Sequence, residues 1–247
     1  MIIDYSTFRP SAQTLHAAGI TAVGRYIGWD CEPGFGCIRK NLTPTEKAVL
    51  HAAGVSVFVS FEYAANAAVN GAPQGTKDVA LANRQMAALA MTGCAVYYSI
   101  DFDLGDYAPH LPDTAANALA KLGPVAHYFD AIHAGHPNHT VCAYGGYYAI
   151  KRLFDAKLIT HGWQTLAWSA GQVDHRAVLV QQIKQVFGAA DVNLHQGNAI
   201  DFGQWPRPVS PPPAVISDGI LVSPAMGWTG HRMKTADHGQ TWTPVNP

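Results

Sequence analysis

Acidic residues in this chain stand where apolar, strand-like runs end. Asp4 ends the run 1–6, Glu62 the run 55–63, Asp101 and Asp103 the run 95–102, and Asp191 lies in the run 191–194. Aspartate forms turns at strand ends, so each carboxylate alone has an ordinary structural use. Five of them converging on one mouth have a chemical one. Asp101 and Asp103 are two residues apart and on a strand would share a face. Two close carboxylates do not both ionise cheaply, so one should hold its proton. A protonated acid beside a charged carboxylate is what cleavage of a glycosidic bond needs. On this reading Asp101, Asp103 and Glu62 are the catalytic candidates. Asp4, Asp191, Tyr26, Tyr63, Tyr144, Trp168 and Gln181 are candidates for substrate binding, since aromatic faces at such a mouth suit sugar rings. A metal site is the rival use of clustered acids, but no histidine sits at a matching strand end. No metal and no cofactor is expected.

Positioning these residues requires alternating strands and helices. Strands are read at 1–6, 22–28, 55–63, 95–102 and 140–144, with helices at 11–18, 43–54, 76–91, 113–134 and 147–156. Thr43, Pro44 and Glu46 form a capping box at one helix start, and Pro124 should bend the long fourth helix. The stretches Leu15-His16-Ala17-Ala18-Gly19-Ile20 and Leu50-His51-Ala52-Ala53-Gly54-Val55 are near copies that each close a helix and enter a strand. Such a local repeat is expected of stacked βα units. Three short strand candidates follow at 165–168, 178–183 and 191–194, with little room for helices between them. Eight buried strands predict an α/β protein, a (β/α)8 TIM-like barrel with incomplete helices in its last units. An open doubly wound sheet is the alternative, but no glycine-rich phosphate loop follows the first strand.

Composition narrows the class further. Hydrophobic residues make up 48% of 247 and charged ones 13%, enough apolar material for one large core. The net charge of −1 gives no footing for nucleic acid, and no apolar run is long enough to span a bilayer. The N-terminus has neither the basic start nor the cleavage site of a signal peptide. The chain is therefore expected either to stay in the cytosol or to leave by a route that its own N-terminus does not encode. Cys94 and Cys142 lie in apolar runs and read as buried, whereas Cys31 and Cys37 bracket a Gly/Pro loop that a disulfide could close.

After residue 205 the composition changes. Residues 206–219 read as a proline-rich linker and 220–247 as a tail too short for its own core. The run Thr235-Ala236-Asp237-His238-Gly239-Gln240-Thr241-Trp242 resembles an Asp-box, in which Asp caps a turn and Gly takes positive φ, so the tail is expected to be a β-hairpin.

The order of motifs carries a resemblance. Ile3-Asp4-Tyr5-Ser6, Ser99-Ile100-Asp101-Phe102-Asp103, Val180-Gln181 and Asp191-Val192-Asn193 resemble strands of family 25 glycoside hydrolases, the lysozyme-type muramidases. A closer likeness is to the glycoside-hydrolase-like domain of actinobacterial secreted proteins and phage lysins. Its pattern is matched by Arg25-Tyr26-Ile27-Gly28, Leu42-Thr43-Pro44-Thr45-Glu46, Phe61-Glu62-Tyr63, Ala143-Tyr144-Gly145 and Ala167-Trp168-Ser169. The resemblance implies a barrel over residues 1–205 and a bacterial cell-wall polysaccharide as ligand. It implies either a muramidase-like glycosidase borne by a phage, or a non-catalytic wall-binding module of a phage particle whose tail contacts other virion proteins, and so a location in a host cytoplasm until lysis, or in a virion. Family 25 enzymes carry Glu at the second acidic position of the fourth strand, where this chain has Asp103. Either Asp103 donates to a closer substrate, or Glu62 takes the acid role, or the site binds sugar without cutting it.

Overall fold

The computed structural model describes residues 1–28, 40–136, 138–182, 192–197 and 201–206, and four short strands between 215 and 245. The chain forms two compact units, Met1–Arg207 and Pro208–Pro247.

In the first unit, strands β1 (Ile2–Tyr5), β2 (Ala22–Ile27), β3 (Ser56–Phe61), β4 (Ala95–Ser99), β5 (Thr140–Gly145), β6 (His161–Thr165) and β7 (Ala177–Gln182) follow one another in a curled parallel sheet. Helices α1 (Ala12–Ala17), α2 (Pro44–Ala52), α3 (Gly71–Ala88), α4 (Ala118–Leu122), α5 (Pro124–Gly135) and α6 (Tyr147–Asp155) fill the connections up to β6. None separates β6 from β7.

The eighth strand corrects the expected (β/α)8 arrangement. β8 (Val192–Gly197) pairs antiparallel with both β7 and β1, and so bridges the two edges of the seven-stranded parallel sheet. A parallel crossover takes about a dozen residues. Only nine residues separate β7 from β8 in the sequence, too few for such a crossover, and β8 runs antiparallel to β7. The sixth strand is also displaced from its expected place at 165–168. Gly162 lets it press on α6, where a Cβ would meet Ile150 and Phe154 at 2.8 and 2.9 Å. The strand ends at Thr165 and leaves 166–171 as a loop.

Local signals account for the helix ends. Ser11 and Thr43 are N-caps whose hydroxyls accept the N–H of Thr14 and Glu46 at 3.1 Å. The two near-copies are Schellman caps. Gly19 N–H donates to His16 O and Ile20 N–H to Leu15 O, while Gly54 N–H donates to His51 O and Val55 N–H to Leu50 O. Both glycines have φ above 70°. The expected bend near Pro124 is a full break, with Gly123 between α4 and α5.

Inside the curl, side chains change character along each strand. Ile2, Ala22, Phe58, Tyr97, Cys142, Trp163 and Leu179 make an apolar layer at the N-terminal end. Phe58 is in edge contact with Tyr97, Trp163 and Phe202 at centroid distances of 5.9, 5.2 and 5.6 Å. Losing one such buried ring costs about 3–5 kcal/mol. Gly24 has no side chain because a Cβ there would lie 2.7 Å from the Phe58 ring. Residues 201–206 close this end. Tyr97 Oη donates to Phe202 O at 2.6 Å, and Trp205 exchanges backbone hydrogen bonds with Val57. Two residues further along the strands, on the same face, come Asp4, Ser60, Ser99, Tyr144, Thr165 and Gln181, which are polar.

Outside the sheet, helices pack over an apolar layer that includes buried, unbridged Cys94. Cys142 is likewise buried and unbridged, while Cys31 and Cys37 lie outside the described residues. A polar cluster sits between α3 and α5. Asn83 Nδ2 donates to Gly135 O, which turns its Oδ1 to His136 Nδ1 at 2.6 Å, and His136 stacks on His139 at 4.2 Å. Burial, then the neighbouring His139 and His133, lowers the His136 pKa to about 3. The unfolded chain takes up this proton near pH 6.5 and the fold refuses it, so stability is complete above that pH and falls as pH drops toward 3. The expected slope is about 1.4 kcal/mol per pH unit from this one group. Urea midpoints measured from pH 7 to 4 should show that slope, and His136→Leu should flatten it.

The second unit is an antiparallel meander of β9 (Val215–Ser217), β10 (Ile220–Val222), β11 (Arg232–Lys234) and β12 (Thr243–Val245). Four strands replace the expected single hairpin, and the first of them falls in the expected linker. The Asp-box residues 235–242 lie outside the described residues.

Candidate active site

The polar ends of the strands surround a cavity of about 320 Å³. β2 supplies Tyr26, β3 leads to Glu62, β4 to Asp101, β5 supplies Tyr144, β7 supplies Gln181, and the loop after β6 supplies Trp168. Ser60 and Ser99 make the floor, their hydroxyls 2.8 Å apart.

One wall is a hydrogen-bonded chain. Tyr144 Oη donates to Gln181 Oε1 at 2.7 Å, and Gln181 Nε2 donates to Asp4 Oδ2 at 3.2 Å. Each bond fixes the next, since the amide must turn its oxygen to the tyrosine and its nitrogen to the carboxylate. Asp4 is fully buried and does not itself line the cavity. It therefore orients Gln181.

The opposite wall carries charge. Lys40 Nζ lies 3.5 Å from Glu62 Oε1 and 5.2 Å from the centre of the Tyr26 ring. Burial raises the carboxyl of Glu62; the Lys40 ammonium opposes this and Asp101 reinforces it. Burial likewise raises Asp101, again opposed by Lys40 and reinforced by Asp4. Two carboxyls with raised pKa values in one partly enclosed cavity are suited to holding one proton between them.

A buried guanidinium supports this arrangement from behind. Arg25 has no exposed surface. It donates to Glu46 Oε1 at 2.7 Å, Ser6 O at 3.1 Å, Lys40 O at 2.9 Å and the carbonyl of Tyr5. The Glu46 carboxylate expected to close a capping box thus receives Arg25, and also Arg9 at 3.3 Å and the Tyr5 hydroxyl at 3.2 Å.

Six of the ten expected residues meet at the cavity: Tyr26, Glu62, Asp101, Tyr144, Trp168 and Gln181. Asp4 stands one contact behind. Asp103 and Tyr63 are placed elsewhere. β4 ends at Ser99 and the chain bends at Phe102, so the twofold alternation that brings Asp101 inward does not reach Asp103, which is exposed. Tyr63 is 48% exposed and faces a groove beside α3 with Gln74 and Lys77. Asp191 lies outside the described residues. The sequence reading missed Lys40, Ser6, Ser60, Ser99, Trp163 and Thr165. For Ser60, Ser99 and Thr165 a signal existed, because each lies two residues from a residue facing the interior. Lys40 comes from a loop that no periodicity describes.

The profile of the family described as "Rv2525c-like, glycoside hydrolase-like domain" matches residues 13–201. Among solved structures, this chain is similar to the Mycobacterium tuberculosis Tat-secreted protein Rv2525c. In complex with L-tartrate that protein is 22% identical, with a TM-score of 0.69, over 83% of this chain and 98% of that one. In complex with HEPES it is 23% identical, with a TM-score of 0.68 over the same shares. An uncharacterized B. stearothermophilus protein is 13% identical over 79% of this chain and 94% of that one, with a TM-score of 0.51. No curated protein sequence matches. Among the described residues, no helix is long and apolar enough to cross a membrane.

Proposed function

Because the chain belongs to the Rv2525c-like, glycoside hydrolase-like domain family, we propose that it is a muramidase-like glycosidase acting on bacterial cell-wall polysaccharide. The observation that carries this reading is the pair Glu62 and Asp101, both raised by burial in one cavity walled by Tyr26, Tyr144 and Trp168. Asp103, exposed beyond the bend, has no part in it. Asp101, raised by burial and by the charge of Asp4 against the opposing Lys40, holds the proton and gives it to the leaving oxygen. Glu62, in contact with Lys40, stays charged and faces the positive charge that develops on the sugar. Gln181 and Tyr144, fixed by Asp4, position the ring.

The second reading is a non-catalytic wall-binding module, for instance in a phage particle, with the tail contacting other virion proteins. The displacement of Asp103 favours it, since the second acid of the family 25 pattern is then missing from the cavity. Incubation with purified cell walls separates the two. The glycosidase reading expects new reducing ends between pH 4 and 8. Co-sedimentation with walls and no reducing ends at any pH would replace it with the binding module.

A further inference from the structure

The loop after β6 holds two non-glycine residues in the left-handed region, Trp168 at φ 54° and Ala170 at φ 47°. That conformation is unfavourable for residues with a Cβ and persists only where the surroundings impose it. Ser169, between them, is fully buried. Its hydroxyl donates to Thr165 O at 2.6 Å and accepts from Tyr147 N–H at 2.9 Å and Gln164 Nε2 at 3.2 Å. Gln164 also donates to Gln172 O at 2.7 Å and accepts from Asp174 N–H at 2.8 Å, so its amide is anchored at both ends. Gly146, next to Tyr147, also packs closely on the loop. A Cβ there would lie 3.0 Å from Trp168 O and 3.2 Å from Trp168 Cβ.

All of this constraint ends in an indole that lines the cavity and remains 39% exposed. The backbone is fixed while the ring face stays open to the cavity. We propose that Ser169 is a positioning residue that locks Trp168 as an aromatic platform for the apolar face of a sugar ring, shaped before the glycan arrives. The inference rests on the glycan reading of the cavity. It adds which side chain stacks on the sugar and what holds that side chain in place. Stacking buries the C–H face of a pyranose against the ring, and a fixed loop spares the ordering entropy of binding.

The test is a double-mutant cycle read by calorimetric titration with soluble glycan strands released from cell walls. Trp168→Ala should weaken binding about tenfold, and Trp168→Phe should keep most of the affinity. Ser169→Ala should weaken binding to a similar degree although the indole is present. The double variant should be no weaker than Trp168→Ala, because Ser169 acts only through Trp168. Gly146→Ala presses directly on Trp168 O and Cβ while keeping the Ser169 hydroxyl, and should lower affinity too, which covers the case of an unstable Ser169 variant. Additive losses in the cycle, or a Trp168→Ala affinity within twofold of wild type, would overturn the platform. Wild-type binding that depends on Trp168 without release of reducing ends would uphold the platform and end the glycosidase reading. No wild-type binding to the strands would end both.

Discussion

Asp101→Asn and Glu62→Gln should each lower glycan hydrolysis by about 10²–10⁴-fold, the range a positioned proton-transfer group supplies. An amide can neither hold the proton for donation nor carry the charge opposite the developing cation. Asp103→Asn should stay near wild type, because its carboxylate is exposed beyond the bend at Phe102. The pH profile carries the finer test. Lys40 holds Glu62 down against the burial that raises it. Lys40→Met should therefore raise the Glu62 carboxyl further and move the acidic limb of kcat/KM to higher pH. Stability should respond in the opposite sense to activity. Burial raises Asp101 in the fold, so its ionisation subtracts stability as pH rises from the unfolded carboxylate value through the higher folded one. Asp101→Asn removes that penalty and should melt above wild type at neutral pH. Equal losses for Asp103→Asn and Asp101→Asn would show that the cavity does not contain the acting pair.

Arg25→Ala should be the most destabilising single change in the frame of the site. In the Arg25–Glu46 pair Arg25 is fully buried and Glu46 largely so, with side-chain exposures of 0% and 11%. Removing one partner of such a pair costs about 3–5 kcal/mol, since the other charge stays buried. At about 2–4 °C per kcal/mol for a chain of this size, the melting temperature should fall by about 6–20 °C. Arg25→Lys should rescue little. One ammonium cannot serve Glu46, Tyr5 O, Ser6 O and Lys40 O, which lie around the planar guanidinium. The double variant Arg25→Met/Glu46→Leu should recover much of the loss, because it leaves no orphaned buried charge: Arg9, the other partner of Glu46, is 30% exposed and keeps its bond to Asn41 O. Thermal unfolding of the three variants decides this. A double variant no better than Arg25→Ala would mean that the three backbone carbonyls, rather than Glu46, dominate the cost.

The sequence by itself determined whatever depends on neighbours within a few residues. Caps at Ser11 and Thr43 and the twin Schellman ends at Gly19 and Gly54 are interactions across at most five positions, so helix ends and the βα alternation were legible. Period-two alternation turned Tyr26, Glu62, Asp101, Tyr144 and Gln181 inward, and so gathered most of the cavity wall. The tertiary structure decided what depends on distant pairing. Strand direction is set by which edge a strand meets, and β8 lies antiparallel between β7 and β1. Register is set by packing, and Gly162 against α6 places β6 early enough to leave Trp168 in a loop. Asp103 falls away because alternation ends where the backbone bends. Lys40 enters because Arg25, fifteen residues earlier, holds its carbonyl at 2.9 Å. None of these follows from the alternation within a single strand, because each depends on where the backbone leaves the strand or on a segment outside it.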